Sequence, residues 1–163
     1  MKKHIASLEN GEKTVISNLE ELLPLITECL SIGQSVKFSP RGISMLPMIV
    51  QGRDSVTLSP APEKLKKYDI PLYRRADGSF VLHRVVKVGE TYTCVGDNQI
   101  ALERGVTHES VIAVVSSFNR NGKEICVTDL LYMAYCRFWC STRILRRIWR
   151  GIKRRVKRLL IRK

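Results

Sequence analysis

Hydrophobic and polar positions follow two different periods along the chain, and these periods predict its elements. In residues 19–30 apolar side chains recur every three to four positions, which predicts an amphipathic helix that ends at Gly33. The capping box Ser17–Glu20 marks its start, and Pro24 is expected to kink the helix or to move its start later. We therefore predict an N-terminal helical segment over residues 1–33.

Between residues 34 and 128 the hydrophobic period changes to two, as in half-buried β-strands. The predicted strands are Val36–Ser39, Ser55–Leu58, Asp69–Arg74, Phe80–Val88, Tyr92–Val95, Val111–Phe118 and Glu124–Val127. Gly89-Glu90 and Asn121-Gly122 have the composition of tight hairpin turns. This part of the chain is predicted to be one β domain.

The helical period returns after Asp129. One face of this segment carries the apolar stripe Ile144, Leu145, Ile148, Trp149, Ile152, Val156, Leu159 and Leu160. Lysines and arginines occupy the opposite face, so residues 129–163 predict a basic amphipathic helix. The predicted fold class is mainly β (α+β), with a helix at each end of the β domain.

The positive charge of the chain is concentrated in its C-terminal tail. The chain has 163 residues, which fits one compact domain, and a formal net charge of +13. Residues 1–136 contain 16 Lys/Arg against 15 Asp/Glu, whereas residues 137–163 contain 12 Lys/Arg and no acidic residue. The hydrophobic fraction of 44% excludes a disordered chain, and no run of about 18 uncharged apolar residues predicts a membrane span.

The cysteines and the N-terminal residues bear on the compartment. Five cysteines lie in the sequence without a CxxC pair or a metal-ligand spacing. They are expected to be reduced thiols, which indicates a reducing compartment and no metal site. The N terminus lacks the apolar run of about 7–15 residues that is typical of a signal peptide. These features predict a cytoplasmic protein.

Three polar side chains suit hydrolytic chemistry, and each also fits a structural role. Ser44 lies in a predicted loop, where a serine is common in ordinary turns. His83 lies within an apolar strand, on the face opposite Arg84, and buried strand histidines are often structural. Asp97 follows a glycine at a strand end, where an Asx turn is the simple interpretation.

The order of five short motifs is more specific than any one of them. The motifs are Gly42-Ile43-Ser44-Met45-Leu46-Pro47, Asp54-Ser55-Val56, Tyr68-Asp69-Ile70, His83-Arg84-Val85 and Gly96-Asp97-Asn98. Over residues 34–118 they resemble the signal peptidase I superfamily, which also contains the self-cleaving repressors of the SOS response. The members that use histidine as the base, the archaeal and endoplasmic-reticulum type, are most similar.

The resemblance implies a signal-peptidase-like or repressor-protease-like β fold and a serine endopeptidase that needs no cofactor. Ser44 would be the nucleophile, His83 the general base, and Asp97 the acid that orients the imidazole. The oxyanion and substrate-binding residues would be Gly42, Ser44, Met45 and Leu46. Met45 and Leu46 also suit packing in the core. The substrate would be a peptide or protein precursor bound as an extended strand.

The chain departs from this family at three points. Many bacterial members have a serine where Gly42 stands, the usual lysine base is replaced by His83, and no N-terminal membrane anchor is expected. Two alternatives stay open. One is a self-cleaving repressor-like regulator, which residues 1–33 fit poorly because they are too short for a DNA-reading domain. The other is a non-catalytic membrane- or nucleic-acid-interacting protein that retains the fold.

The basic tail, residues 137–163, suits an anionic membrane surface because it combines cations with an apolar stripe. The residues expected at that surface are Arg146, Arg147, Trp149, Arg150 and Arg154. Alternatively the stripe docks on the β domain. Nucleic acid is the less expected partner, because apolar residues persist to Ile161. The expected location is cytoplasmic, with peripheral attachment to a membrane.

Overall fold

The computed structural model describes residues 4–7, 13–16, 19–146, 148–149 and 151–152. These residues form a mainly β, α+β fold, as predicted, and their strands form two antiparallel sheets. The strands are β1 (His4–Ser7), β2 (Lys13–Ile16), β3 (Val36–Phe38), β4 (Ser55–Ser59), β5 (Pro71–Arg74), β6 (Phe80–Leu82), β7 (Arg84–Val88), β8 (Tyr92–Val95), β9 (Glu103–Val106), β10 (Val111–Arg120) and β11 (Lys123–Cys126). The helices are α1 (Leu19–Ser31), α2 (Leu130–Ser141) and a short 3-10 helix, His108–Ser110.

Each sheet carries its own hydrophobic core. The larger sheet has the order β2-β1-β3-β4-β10-β5-β6, and β11 pairs with β10. Alternation buries Val56 and Leu58 of β4 against Leu22 and Ile26 of α1. The smaller sheet has the order β7-β8-β9 and a separate cluster around Val85. The candidate site lies where the chain passes from one sheet to the other.

The N-terminal segment is not wholly helical, and this corrects the prediction for residues 1–33. β1 and β2 form an antiparallel hairpin, and β1 also pairs with β3, so this segment extends the larger sheet. Two four-residue strands are too short to give a clear period of two in the sequence. The predicted helix is confirmed as α1, which continues through Pro24. Its predicted cap at residues 17–18 lies outside the described residues.

The predicted strand Phe80–Val88 is divided at His83. β6 pairs with β5 in the larger sheet, whereas β7 pairs with β8 in the smaller one. Because the strand is interrupted, simple alternation does not hold, and His83 and Arg84 are both buried. The prediction of one continuous strand was therefore wrong, while the two side chains contact different carboxylates, His83 that of Glu103 and Arg84 that of Asp97.

Strand β9 and the two predicted hairpin turns had different outcomes. β9 was not predicted, since its sequence lacks an alternating pattern, yet it pairs with β8. The turn at Asn121-Gly122 is confirmed: both residues have positive φ, 52° and 84°, as a type I′ hairpin turn requires. The connection after Gly89 is longer than predicted, because Val88 pairs with Tyr92 and three residues lie between them.

The C-terminal part begins with the predicted helix, α2, and residues 143–146, 148–149 and 151–152 are also helical. Residues 153–163 lie outside the described part of the chain. Among the described helices, none is both long enough and apolar enough to cross a bilayer.

Candidate active site

The loop that carries Ser44 is held by the turn that follows β8. The backbone N–H of Asn98 donates to the Ser44 carbonyl over 2.8 Å. The side-chain amide of Asn98 donates to the Ile43 carbonyl over 3.1 Å. Ser44 is half-buried, and among the described hydrogen bonds none takes up its backbone N–H. The Ser44 loop and the turn at residues 96–98 therefore form one connected unit.

Ser44 and His83 approach each other over Gly96. A Cβ atom placed on Gly96 would lie 2.7 Å from the Ser44 carbonyl oxygen, and 3.1 Å from both Ser44 Cβ and His83 Nε2. The last two atoms are therefore no more than twice that distance apart. Among the described contacts no hydrogen bond joins the Ser44 hydroxyl to the imidazole, and such bonds often tighten only when substrate binds. A glycine is required here because only its backbone fits this space.

The opposite edge of the His83 ring faces a carboxylate. Nδ1 lies 3.0 Å from Glu103 Oε1 and 3.4 Å from the Tyr73 hydroxyl. The imidazole is almost fully buried, whereas the Glu103 side chain is 23% exposed. An Nδ1–H that donates to Glu103 leaves Nε2 unprotonated on the side of Ser44.

Two donors fix the Glu103 carboxylate. The Tyr73 hydroxyl donates to Oε2 over 2.6 Å, and Arg75 Nε donates to the same oxygen over 3.0 Å. The Arg75 Nη2 group also donates to Oε1. Since charge-assisted hydrogen bonds are the stronger ones, this arrangement holds Glu103 ionised and in place.

The local electrostatics favour a neutral imidazole. Burial lowers the pKa of His83 below its ordinary value, and this outweighs the opposite effect of Glu103. Burial alone would raise the pKa of Glu103, but hydrogen bonds from Arg75 and Tyr73 lower it overall. At neutral pH the pair therefore consists of a carboxylate and an uncharged imidazole that can accept a proton.

Asp97 has a different partner from the one predicted. Its carboxylate accepts two hydrogen bonds from Arg84, Nε to Oδ1 over 2.8 Å and Nη2 to Oδ2 over 2.7 Å. Both side chains are almost fully buried. A buried guanidinium needs a carboxylate close by, and Asp97 supplies it, so the predicted contact with His83 is replaced by that of Glu103.

Arg84 also joins α2 to the β sheets. Its Nη1 donates to the Tyr132 hydroxyl over 2.7 Å and to the Cys136 sulfur over 3.0 Å. The guanidinium lies 5.6 Å from the centre of the Tyr132 ring. The residue next to His83 therefore fixes the C-terminal helix.

The predicted oxyanion and substrate-binding residues lie in different environments. The Gly42 N–H donates to the Gln51 side chain over 2.7 Å and is thus already engaged. Met45 is buried in the main core, which decides between its two predicted roles in favour of packing. Leu46 is half-buried, and its N–H donates to the Ile43 carbonyl. Of these residues, Ser44 retains a backbone donor that an oxyanion could use.

The tail contacts the site through its polar and aromatic side chains. Trp139 Nε1 and Arg146 Nη1 donate to the Asp97 carbonyl over 3.0 and 3.1 Å. The Arg146 guanidinium stacks 3.6 Å from the Trp139 ring. Arg146 thus faces the protein, which corrects its predicted place at a membrane surface. Arg147, Arg150 and Arg154 lie outside the described residues.

The apolar stripe of the tail faces outward. Its described members are 49% to 66% exposed, and they are Ile144, Leu145, Ile148, Trp149 and Ile152. The alternative in which this stripe docks on the β domain is therefore wrong for these residues. An exposed apolar face of this kind marks a contact surface.

Two cavities lie near the candidate site, although neither is lined by Ser44 or His83. A cleft of about 350 Å³ is lined by Arg41, Phe80 and Leu82, among others. Arg41 immediately precedes Gly42, and Leu82 immediately precedes His83. A larger groove of about 870 Å³ is lined by Tyr73, Arg75 and Glu103, on the Nδ1 side of the imidazole.

Sequence reasoning missed the residues behind His83, namely Tyr73, Arg75 and Glu103. Glu103 begins an unpredicted strand and belongs to no motif. The pairing of Glu103 with Cys94 between β9 and β8 brings Glu103 next to the His83 ring, and no local sequence pattern predicts that pairing. Among the described residues, no cluster of three or more His, Cys, Asp or Glu side chains could hold a metal ion.

No protein-family model matches the chain, and neither a curated protein nor a solved structure is significantly similar to it.

Proposed function

We propose that this protein is a serine endopeptidase of the signal peptidase I type, with Ser44 as nucleophile and His83 as general base. The observation that carries the proposal is the approach of Ser44 and His83 Nε2 over Gly96. The five motifs that resemble this superfamily also support the proposal.

The proposed reaction is ordinary acyl transfer. Ser44 Oγ attacks the carbonyl carbon of the scissile bond while Nε2 of His83 takes the hydroxyl proton. The Ser44 N–H stabilises the negative charge that develops on the carbonyl oxygen. His83 then gives its proton to the leaving amine, and water, activated by the same nitrogen, hydrolyses the acyl-enzyme.

The proposed substrate is an extended peptide segment. β6 pairs with β5 and with no other described strand, so its second edge can accept an added strand. The cleft beside it is lined by Arg41, Phe80 and Leu82. In the chain, Arg41 lies three residues before Ser44, and Leu82 immediately precedes His83. A segment that pairs with β6 would bring its backbone to Ser44.

Covalent labelling of the full chain tests this proposal. A fluorophosphonate probe is expected to modify Ser44, identified by peptide mass spectrometry, and Ser44→Ala and His83→Ala should abolish the label. Because burial lowers the pKa of His83, the labelling rate should rise with pH through a midpoint below 6.5. Ser110→Ala, a change of a serine at the end of the 3-10 helix whose hydroxyl donates to the Thr107 carbonyl, serves as the matched control and should be labelled like the wild type.

The contrary result is equally clear. A folded wild-type protein that is not labelled at Ser44, or a His83→Ala variant labelled at the wild-type rate, would favour the non-catalytic alternative. Incubation of the same variants with a peptide library then identifies the cleaved bond by its new N terminus.

We also propose that the protein lies at the surface of an anionic membrane. The outward apolar stripe of the tail, with 12 Lys/Arg and no acidic residue in residues 137–163, suits insertion into the headgroup region. The cationic residues would then contact lipid phosphates while apolar side chains enter the acyl boundary.

Sedimentation with lipid vesicles tests this attachment. The double variant Leu145→Glu/Ile148→Glu is expected to reduce binding to phosphatidylglycerol-containing vesicles by at least about tenfold, because it removes two apolar side chains and adds two negative charges. Ile32→Glu, which changes an isoleucine that is 67% exposed at the end of α1, should bind like the wild type. Equal sedimentation of the double variant and the wild type would contradict the proposal.

A further inference from the structure

We infer that Glu103, and not the motif residue Asp97, is the carboxylate that orients His83 and fixes its proton on Nδ1. This inference rests on the proposed function for its catalytic meaning, but the state of the imidazole can be measured without any activity. Glu103 is a positioning residue, since it contacts the base and lies on the side of the ring away from Ser44.

The geometry of three side chains supports this role. Glu103 Oε1 lies 3.0 Å from His83 Nδ1, while Oε2 accepts hydrogen bonds from Tyr73 and Arg75. Arg75 Nη2 also donates to Oε1, so Tyr73 and Arg75 together hold both carboxylate oxygens in place, and Oε1 is the one that faces the imidazole. This is the arrangement that selects the Nδ1–H tautomer and leaves Nε2 free to accept the Ser44 proton.

Asp97 is unsuited to the same role because its two oxygens are already bound by Arg84. Arg84 belongs to β7, and Asp97 to the turn after β8, so this ion pair closes the smaller sheet against α2. Moving Asp97 to His83 would leave a fully buried guanidinium without its carboxylate. Asp97 acts on His83 only through its charge.

The charged and titratable groups around the His83 ring come from several elements. Glu103 of β9 and the more distant Asp97 raise the pKa of His83, whereas Arg75, which follows β5, lowers it. Tyr73 of β5 stays protonated because burial raises its pKa, so it acts as a donor to Glu103. Glu103 is thus the only one of these groups that is both charged and bonded to the ring.

Replacement of Glu103 by glutamine removes the negative charge and changes the hydrogen-bonding group that faces the ring, while the size of the side chain is kept. A glutamine has one oxygen, which we expect at the position of Oε2, where two of the three hydrogen bonds from Tyr73 and Arg75 arrive; its NH₂ group would then displace Arg75 Nη2 and face Nδ1. The imidazole should change to the Nε2–H tautomer, visible by ¹⁵N nuclear magnetic resonance of the His83 ring. Its pKa should fall, since a negative neighbour is lost, and cleavage or probe labelling at Ser44 should fall by at least about tenfold.

Two matched variants complete the test. Glu109→Gln changes an exposed carboxylate on the wall of the same groove and should leave the tautomer, the pKa of His83 and the labelling rate unchanged. Glu103→Asp should keep the Nδ1–H tautomer if the shorter carboxylate still reaches the ring, and should then recover part of the labelling rate.

The outcomes distinguish this inference from the proposed function. An unchanged tautomer and pKa of His83 in Glu103→Gln would overturn the inference, whatever the activity. A changed tautomer in a protein whose Ser44 is never labelled would support the inference about Glu103 and reject the peptidase. Glu103→Gln that alters the ring but keeps the wild-type labelling rate would also overturn it, since the orientation would then have no effect on the serine.

Discussion

Gly96→Ala is expected to abolish labelling of Ser44 and to reduce any peptide cleavage by at least about 10²-fold. The new methyl group would lie 2.7 Å from the Ser44 carbonyl oxygen, a distance that real Cβ atoms essentially never show, and 3.1 Å from His83 Nε2, which is tighter than nine in ten real Cβ contacts. The atoms it meets belong to Ser44 and His83, the proposed nucleophile and base. Relief of the collision must therefore separate Ser44 from His83, and the rate depends steeply on that separation.

Labelling kinetics and circular dichroism of the full chain measure this effect. Gly89→Ala is the matched control, because a Cβ there lies 3.6 Å from the Thr91 carbonyl oxygen, an ordinary contact. The control should keep the wild-type rate. Wild-type labelling by a folded Gly96→Ala protein would show that Ser44 and His83 need not meet at Gly96, and the proposed pair would lose its geometric support.

Breaking the Arg84–Asp97 pair is expected to cost about 3–5 kcal/mol of unfolding free energy, because either single change leaves a buried charge without its partner. Arg84→Met removes the bonds to Asp97, Tyr132 and Cys136 together. Asp97→Asn leaves the guanidinium facing a neutral amide. Both variants should be less stable, and urea denaturation of the full chain measures the loss.

The double variant Arg84→Met/Asp97→Asn shows whether the two residues act as a pair. Since neither charge is then left alone, its loss should be well below the sum of the two single losses. Arg137→Met, a change of an exposed cation on α2, should alter stability by less than about 0.5 kcal/mol. Additive single losses would contradict a coupled ion pair.

The sequence predicts most of the elements correctly, because their signals are local. The three-to-four period over residues 19–30 reappears as α1, and the Asn121-Gly122 pair forms the hairpin that its conformational preferences require. Six of the seven predicted strands reappear with ends shifted by no more than a few residues, and Phe80–Val88 reappears as two strands, β6 and β7. Where the local pattern was weak, as in β1, β2 and β9, the prediction failed.

The partners of the reactive groups depended on contacts that no local pattern records. The motif containing Asp97 pointed to this residue as the partner of His83, but Arg84, the neighbour of His83 in the chain, takes its carboxylate. Glu103 reaches His83 only through the register of β8 with β9. Likewise, the tail sequence predicts an amphipathic helix, but the contacts of Trp139 and Arg146 decide which side faces the protein.

The Arg84–Asp97 ion pair has a consequence for how the chain folds during its synthesis. Synthesis proceeds from the N terminus, so both charged residues leave the ribosome before Tyr132 and Cys136, which cover Arg84. Until α2 has been synthesised and has docked, this ion pair remains in water, and the turn at residues 96–98 lacks the contacts that Trp139 and Arg146 make to Asp97. A nascent chain would thus acquire its complete Ser44 loop only late in biosynthesis.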